Sequence, residues 1–399
     1  IPLDLPAGKS ERPAELITRT NGASVAGFTA AGDMYFPSTA VFKNYYDRDD
    51  LFFLPRGARA PDGDEPERKR LTRGQRTPSV DPSPDGKQLV FTVNARGTSF
   101  LEIADIAADG SLKNKRDLVP SQRFEQVYTP RFSPDGKRVA YSRWQAGGYR
   151  DIHIVDVATG QVQVITNDRS LDMQPSFSPD QKTLFFSSDR TGIPNIYAYT
   201  LATGELRQVT NVRTGALSPV VSTDGKTLVY MGYSSRGYDL FSMPLDPAKY
   251  LDAVPAPTDR PDPLPATTPI RSTTRPYNPL QTLRPFNYFA EMAPGKFSDT
   301  AFTFTADGAD IANLHSFGVR LVVDPKAPSP DFSVSYNYNR LPVNFGVRAF
   351  HTVTPRSGYR ISDRDVPFNE RAVGVTTGIS LPIYDEFARQ SLGLSFSAV

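Results

Sequence analysis

Apolar and polar positions alternate with a period of two over much of this chain, and four stretches repeat that alternation around one kind of turn. They are PSVDPSPDGKQLVFTV from Pro78, PRFSPDGKRVAYSR from Pro130, PSFSPDQKTLFFSS from Pro175 and PVVSTDGKTLVYMG from Pro219, with a degenerate copy, ASVAGFTAAGDMYFPS, from Ala23. The equivalent turn positions Gly32, Gly86, Gly136, Gln181 and Gly225 are spaced by 54, 50, 45 and 44 residues. Each unit predicts four short antiparallel strands. Strand a ends at the turn, where Pro presets φ, Asp bonds back to the backbone and Gly tolerates positive φ. Strand b is predicted over 88–93, 138–143, 183–188 and 227–232. Strand c is predicted over 50–54, 100–105, 151–156, 195–200 and 239–244, and strand d over 70–72, 162–166 and 206–210. One such unit cannot bury both faces, whereas a radial ring of them, a β-propeller, can.

The pattern changes after residue 243. Residues 244–285 hold 11 prolines in 42 positions, which predicts an extended, semi-rigid spacer, with Tyr277 to Phe286 expected to be ordered. Longer alternating strands follow: 300–306, 317–323, 332–338, 343–352, 373–381 and 392–398. One face of each is mainly apolar and aromatic, and the other is mainly Gly, Ser, Asn, Thr and Arg. At roughly 9–10 residues they match the length and polarity of tilted bilayer-crossing strands. A soluble antiparallel sandwich alternates in the same way and is the competing reading. Six strands fall short of the roughly eight a closed barrel needs, so a barrel truncated at Val399, or one completed by another chain, is expected. The chain opens at Ile1 without Met or a leader, as expected of a processed protein or a fragment.

Composition narrows the function. With 36 prolines in 399 residues, long helices are excluded. Charge is balanced at +2, against a general nucleic-acid binder. Zero cysteines exclude a disulfide scaffold, a thiolate metal site and a cysteine nucleophile. The three histidines, His153, His315 and His351, form no metal-binding pair. No run of about 18 apolar residues predicts a membrane helix. Ser234, in Gly232-Tyr233-Ser234-Ser235-Arg236, lacks the second glycine of a nucleophile elbow and reads as a polar turn. The acidic groups Asp62, Asp64, Glu65 and Asp47, Asp49, Asp50 lack calcium-loop spacing and read as solvated loops. No catalytic residue, metal or cofactor is expected.

The arginines are more informative. Arg96, Arg143, Arg190 and Arg236 recur at or beside the b–c turn of four units, and the d–a loops bring Arg123, Arg169 and Arg213. Loops of both kinds open on one propeller face, so these forks are expected to ring one mouth of the channel, with Trp144, Tyr149 and Tyr233 as aromatic contacts, and to bind an anion or a peptide terminus. The competing reading pairs each arginine with a nearby acid such as Asp151, Asp189 or Asp239.

The recurring SPDG turn, strand, Gly, IY strand and LT strand, over roughly residues 16–245, resembles the TolB-like β-propeller family; related units occur in the propellers of tricorn and prolyl oligopeptidase-type proteases. That family usually has six or more blades, so a sixth blade beyond the five recognisable four-stranded ones is consistent with the resemblance. The YNPLQTLRP stretch and the strands after it, over roughly 275–399, resemble bacterial outer-membrane proteins with a BamA-like or surface-antigen barrel, some of which carry a metallopeptidase domain ahead of the propeller. The expectation is an all-β chain: propeller 1–245, Pro-rich linker 246–290, and antiparallel strands of a partial transmembrane barrel 291–399. The resemblance implies a non-enzymatic protein of a Gram-negative-type outer membrane. Its propeller, on the periplasmic or external side, binds a protein or peptide in the cell envelope, and its C-terminal strands contact lipid; no nucleic acid is involved. The alternatives are a propeller gating substrate to a hydrolase domain outside this chain, and a soluble two-domain binding protein.

Overall fold

A computed structural model describes residues 17–22, 25–42, 46–58, 66–145, 148–259, 273, 275–339, 343–384 and 389–398. The chain divides into two compact units, 1–42 with 47–268 and 43–46 with 269–399.

The first unit is a series of five antiparallel blades. Blade one is β1 (Gly27–Phe28), β2 (Met34–Phe42), β3 (Tyr46–Leu54) and β4 (Lys69–Arg70). Blade two is β5 (Val80–Pro82), β6 (Gln88–Ala95), β7 (Thr98–Ile106) and β8 (Leu112–Val119). Blade three is β9 (Gln126–Phe132), β10 (Arg138–Trp144), β11 (Arg150–Asp156) and β12 (Val162–Val164). Blade four holds β13 (Asp172–Phe177), β14 (Thr183–Ser188), β15 (Asn195–Thr200) and β16 (Leu206–Gln208). Blade five holds β17 (Ala216–Val221), β18 (Thr227–Ser234) and β19 (Gly237–Pro244).

The expectation of five four-stranded blades needs correction at the end of this series. Among the described residues, blade five has three strands. After Pro244 the chain makes a 3-10 turn at Pro247–Lys249, N-capped by Asp246, and then forms β20 (Leu251–Asp252), which pairs with β16 as a fifth strand of blade four. Prolines 244 and 247 remove donors where a strand beside β19 would begin. Arg207 holds the detour in place, bonding Asp252 at 2.8 Å and the carbonyl of Tyr250.

The repeated turn explains the repeated sequence. Ser83 Oγ donates to Asp85 at 2.6 Å and accepts from the Gln88 N–H, while Asp85 also accepts the Lys87 N–H. The same three bonds recur from Ser133, Ser178 and Ser222. The serine bonds hold Asp85, Asp135, Asp180 and Asp224 below the usual carboxylate range.

Apolar residues of strands b and c bury against the next blade. Tyr35, Leu51 and Phe53 meet Leu89, Phe91 and Val93. Val90 and Leu101 meet Val139 and Tyr141. Ile152 and Ile154 meet Leu184 and Phe186, and Phe185 and Ile196 meet Ala216 and Leu228. Each buried Val, Leu, Ile or Phe among them contributes about 1.5–3 kcal/mol. Among the described residues, no core cluster joins blade five to blade one.

The second unit is one seven-stranded antiparallel sheet in chain order: β21 (Arg284–Ala293), β22 (Ala301–Ala309), β23 (His315–Val323), β24 (Asp331–Tyr338), β25 (Asn344–Ile361), β26 (Arg364–Tyr384) and β27 (Arg389–Ala398). The sequence reading placed six strands here; the seventh, β21, lies mostly within the stretch read as linker. The register aligns the alternation across the whole sheet. One row runs Ala306, Val319, Val334, Ala349, Val375, Ala398, and the row beside it begins Phe304, Leu321, Phe332. The opposite face carries Thr305, Arg320 and Ser333 in one row and Ser335, Arg348 and Thr376 in the next.

Candidate functional site: the loop face of the propeller

Strand a is the innermost strand of a blade, and in three blades it breaks its pairing at the residue before the repeat's proline. Thr129, Gln174 and Ser218 have φ of 47°, 56° and 51°, beside register shifts in β9, β13 and β17. For a β-branched residue such as Thr129 this is a genuine outlier, and strain of this kind costs about 1–3 kcal/mol. Cross-blade bonds hold it. Gln174 accepts the Ser218 N–H at 2.9 Å, and Asp81 accepts the Phe132 N–H at 2.7 Å while pairing with Arg131. Sequence reasoning missed these positions; the available signal was the residue ahead of each repeated Pro.

The b–c turns and d–a loops do share one face. The Phe124 N–H donates to Thr98, the Leu171 N–H to Asp189, and the Tyr233 N–H to Gly215. The arginines there divide into two sets.

Arg143 and Arg190 are spent inside the blades. Half-buried Arg143 pairs with buried Glu125 at 2.6 Å. The Arg190 side chain is 3% exposed, lies 3.3 Å from both Asp168 and Asp172, donates to Ser188 Oγ at 3.0 Å, and covers the Tyr197 ring at 5.0 Å. Burial pushes the Asp172 carboxyl up to about 6, against the pull of Arg190. The acids that hold these two differ from those expected. Asp151 accepts the Asp168 N–H, Asp189 accepts the Leu171 N–H, and Asp239 is exposed with no polar partner among the described residues. Arg150, unnoticed in the sequence, lies over the Tyr128 ring at 3.9 Å and donates to Ser142 Oγ at 2.8 Å. Burial lowers its pKa.

Arg96, Arg123, Arg169, Arg213 and Arg236 are exposed. Arg123 stacks on Phe124 at 4.6 Å, and Arg169 pairs with Asp259 at 2.8 Å. Trp144 and Tyr233 are exposed at 45% and 47%, Tyr233 packing on Tyr238 at 5.1 Å, while Tyr149 is half-buried. Ser234 accepts the Arg236 N–H and closes a turn. Of the acidic clusters, Asp62, Asp64 and Glu65 lie outside the described residues. Asp49 accepts from Thr39, and buried Asp50 accepts from Arg70, Thr72, Gly74 and Gln75.

Residues 60–251 match the family described as TolB beta propeller domain. Over those residues the propeller resembles that family. The Tol-Pal system protein TolB of Francisella tularensis subsp. holarctica (strain OSU18) is 33% identical over 109 residues, which are 26% of this chain and 24% of that one. The chain therefore spans about a quarter of the length of that relative. Among solved structures, TolB from Acinetobacter baumannii aligns with 68% of this chain and 61% of its own at 20% identity and a TM-score of 0.43. A puromycin hydrolase aligns with 76% of this chain and 45% of its own at 18% identity and a TM-score of 0.44. The family match covers the TolB-like blades from the end of blade one through β20.

Proposed function

We propose that this chain is a non-enzymatic binding protein of a Gram-negative-type cell envelope. Its TolB-like propeller takes a protein or peptide partner on the loop face, and its C-terminal sheet contacts outer-membrane lipid. The observation that carries the lipid part is the apolar face of the second unit. Phe304, Leu321, Phe332, Val334, Val375, Ile379, Leu394 and Phe396 are each 36–72% exposed on a sheet whose other face is polar. Soluble sheets bury such a face, and an exposed, mainly apolar face marks an interaction surface. Because β21 and β27 each leave one edge unpaired among the described residues, lipid contact requires that those edges find further strands.

The binding part is supported by the match to TolB and by the exposed guanidiniums and rings of Arg96, Arg123, Arg213, Arg236, Trp144 and Tyr233. The guanidiniums suit carboxylates, and these four arginines make no ion pair among the described residues. Membrane fractionation tests the first part: the chain should stay with the membrane through salt washes and require detergent for release. Quantitative recovery in detergent-free buffer overturns it.

A further inference from the structure

The polar face of the second sheet carries a cavity of about 350 Å³, at the end where β21 turns into β22 and β23 into β24. That volume lies in the range of small-ligand sites, roughly 300–1,000 Å³. Its floor is strand, and its roof is the two loops 294–300 and 324–330. The roof is tied down. Asp324 accepts the Phe297 N–H at 2.8 Å, the Ser298 hydroxyl at 2.5 Å and the Lys326 N–H at 3.1 Å, so one carboxylate joins both loops. Lys296 reaches from the first loop across to β24 and β25. Its Nζ donates to Asp331 at 2.8 Å and to the Val353 carbonyl at 3.1 Å, and Asp331 also accepts the Val353 N–H at 2.7 Å. These three charges build the wall.

The cations left over are Arg320 and Arg348. Both line the cavity and are exposed to it, and neither makes an ion pair or hydrogen bond among the described residues; Arg348 lies 5.9 Å from the Phe350 ring. The register sets them on either side of one strand. Arg320 of β23 pairs with Ser333 and Arg348 of β25 pairs with Ser335, so β24 runs between them and presents two serines there in place of bulky side chains. The acids nearby do not supply the missing charge. Glu291 stands in the next row toward the loops, with Thr303 and Val322, on the edge strand two strands away, and forms no ion pair with Arg320. Asp307 accepts from Asn287 at 2.9 Å. Under the loops, Phe297, Ala301, Val322 and Val353 add an apolar wall.

We propose that this cavity binds a soluble organic phosphate, its phosphate between Arg320 and Arg348 and its organic part against the apolar wall. Two guanidinium forks without a counter-charge match a phosphomonoester, which carries about −1.5 to −2 at pH 7 and offers three acceptor oxygens. A monocarboxylate neutralises one fork and leaves the other. The site lies on the face opposite the exposed apolar one, away from any bilayer that covers Phe304, Leu321 and Phe332, which favours a soluble phosphate over a lipid headgroup.

Phenyl phosphate is the probe, offered to the full chain. Calorimetry should show one saturable site. Arg320→Gln and Arg348→Gln should each weaken binding about 10-fold or more, the loss expected when a hydrogen bond to a charged group is removed. Arg360→Gln, on the exposed hairpin of β25 and β26, should bind as the unaltered chain does. In the unaltered chain the probe should shield Arg320 and Arg348, and not Arg360, from phenylglyoxal, read by peptide mass spectrometry; this arm needs no substitution and stands even if a variant fails to fold. Absence of saturable binding overturns the proposal, and so does equal shielding of all three arginines. Benzoate binding as tightly as phenyl phosphate overturns the choice of phosphate. Binding of phosphatidic acid micelles without binding of phenyl phosphate overturns the choice of a soluble ligand.

Discussion

At Gly225 the backbone sits at φ +72°, and nothing lies within 4 Å of where a Cβ would stand. Gly225→Ala therefore isolates the backbone cost of this turn, and urea unfolding should show a loss of about 1 kcal/mol. Gln181 occupies the same position at φ +61° and sets its amide against Asp135 of the neighbouring blade's turn, at 3.1 Å, so the one turn without glycine gains a cross-blade contact. Asp172 makes a pH-dependent contribution. An unfolded aspartate titrates near ~3.9, and the folded carboxyl near about 6. A raised folded value stabilises the fold when the group is protonated, so this contribution is complete below about pH 4 and is lost as pH rises through about 6. Asp172→Asn should flatten that part of the stability profile, read as unfolding midpoints between about pH 4 and pH 7. The serine-bonded turn aspartates act with the opposite sign: their contribution is present above the unfolded value and is lost as pH falls through the lower folded one.

Among elements, strands b and c were legible because alternation and an adjoining turn point the same way. Strand β8 was not, because Lys113, Asn114, Lys115, Arg116 and Asp117 at its centre are all polar and exposed, so periodicity has nothing to register. Strand β21 was hidden by the Arg284-Pro285 start and by the proline-rich stretch before it; its ten residues are exposed and paired on one side alone. The fourth strand of blade five was expected from the repeat, but the local prolines diverted the chain to β16. Charged substitutions on the apolar face of the second sheet should weaken membrane retention: Leu321→Arg with Val334→Arg should cost about 2–4 kcal/mol each in lipid, read as loss from vesicles in flotation. Ser333→Asn, on the polar face, should float unchanged.

Across the whole molecule, the arginine ring separates into a structural and an available part, which sequence spacing alone does not distinguish. The arginines were visible; their partners were not, because Glu125, Asp168 and Asp172 reach them across loops or from strand a rather than from the adjoining turn. Charge reversal at Arg96 and Arg236 should abolish partner cross-linking in envelope extracts without lowering the unfolding midpoint; undiminished cross-linking would exclude this face. Arg190→Glu is a different experiment. It places a third carboxylate between Asp168 and Asp172, and breaking a buried pair of this kind costs about 3–5 kcal/mol, so soluble yield should fall.

The detour through β20 also decides where the propeller bears load. Tension arriving from the C-terminal side along residues 253–259 meets the Arg169 contacts with Asp259 and the Pro257 carbonyl first, then Leu251 and Asp252, and so is passed to the outer edge of blade four before it can reach β19. The Arg169 contacts, the Arg207–Asp252 pair and the two-residue ladder on β16 form a short strain relief. Under a steady pull this tether should yield first, lengthening the spacer by the slack between Pro244 and Asp252 while the blade cores remain folded.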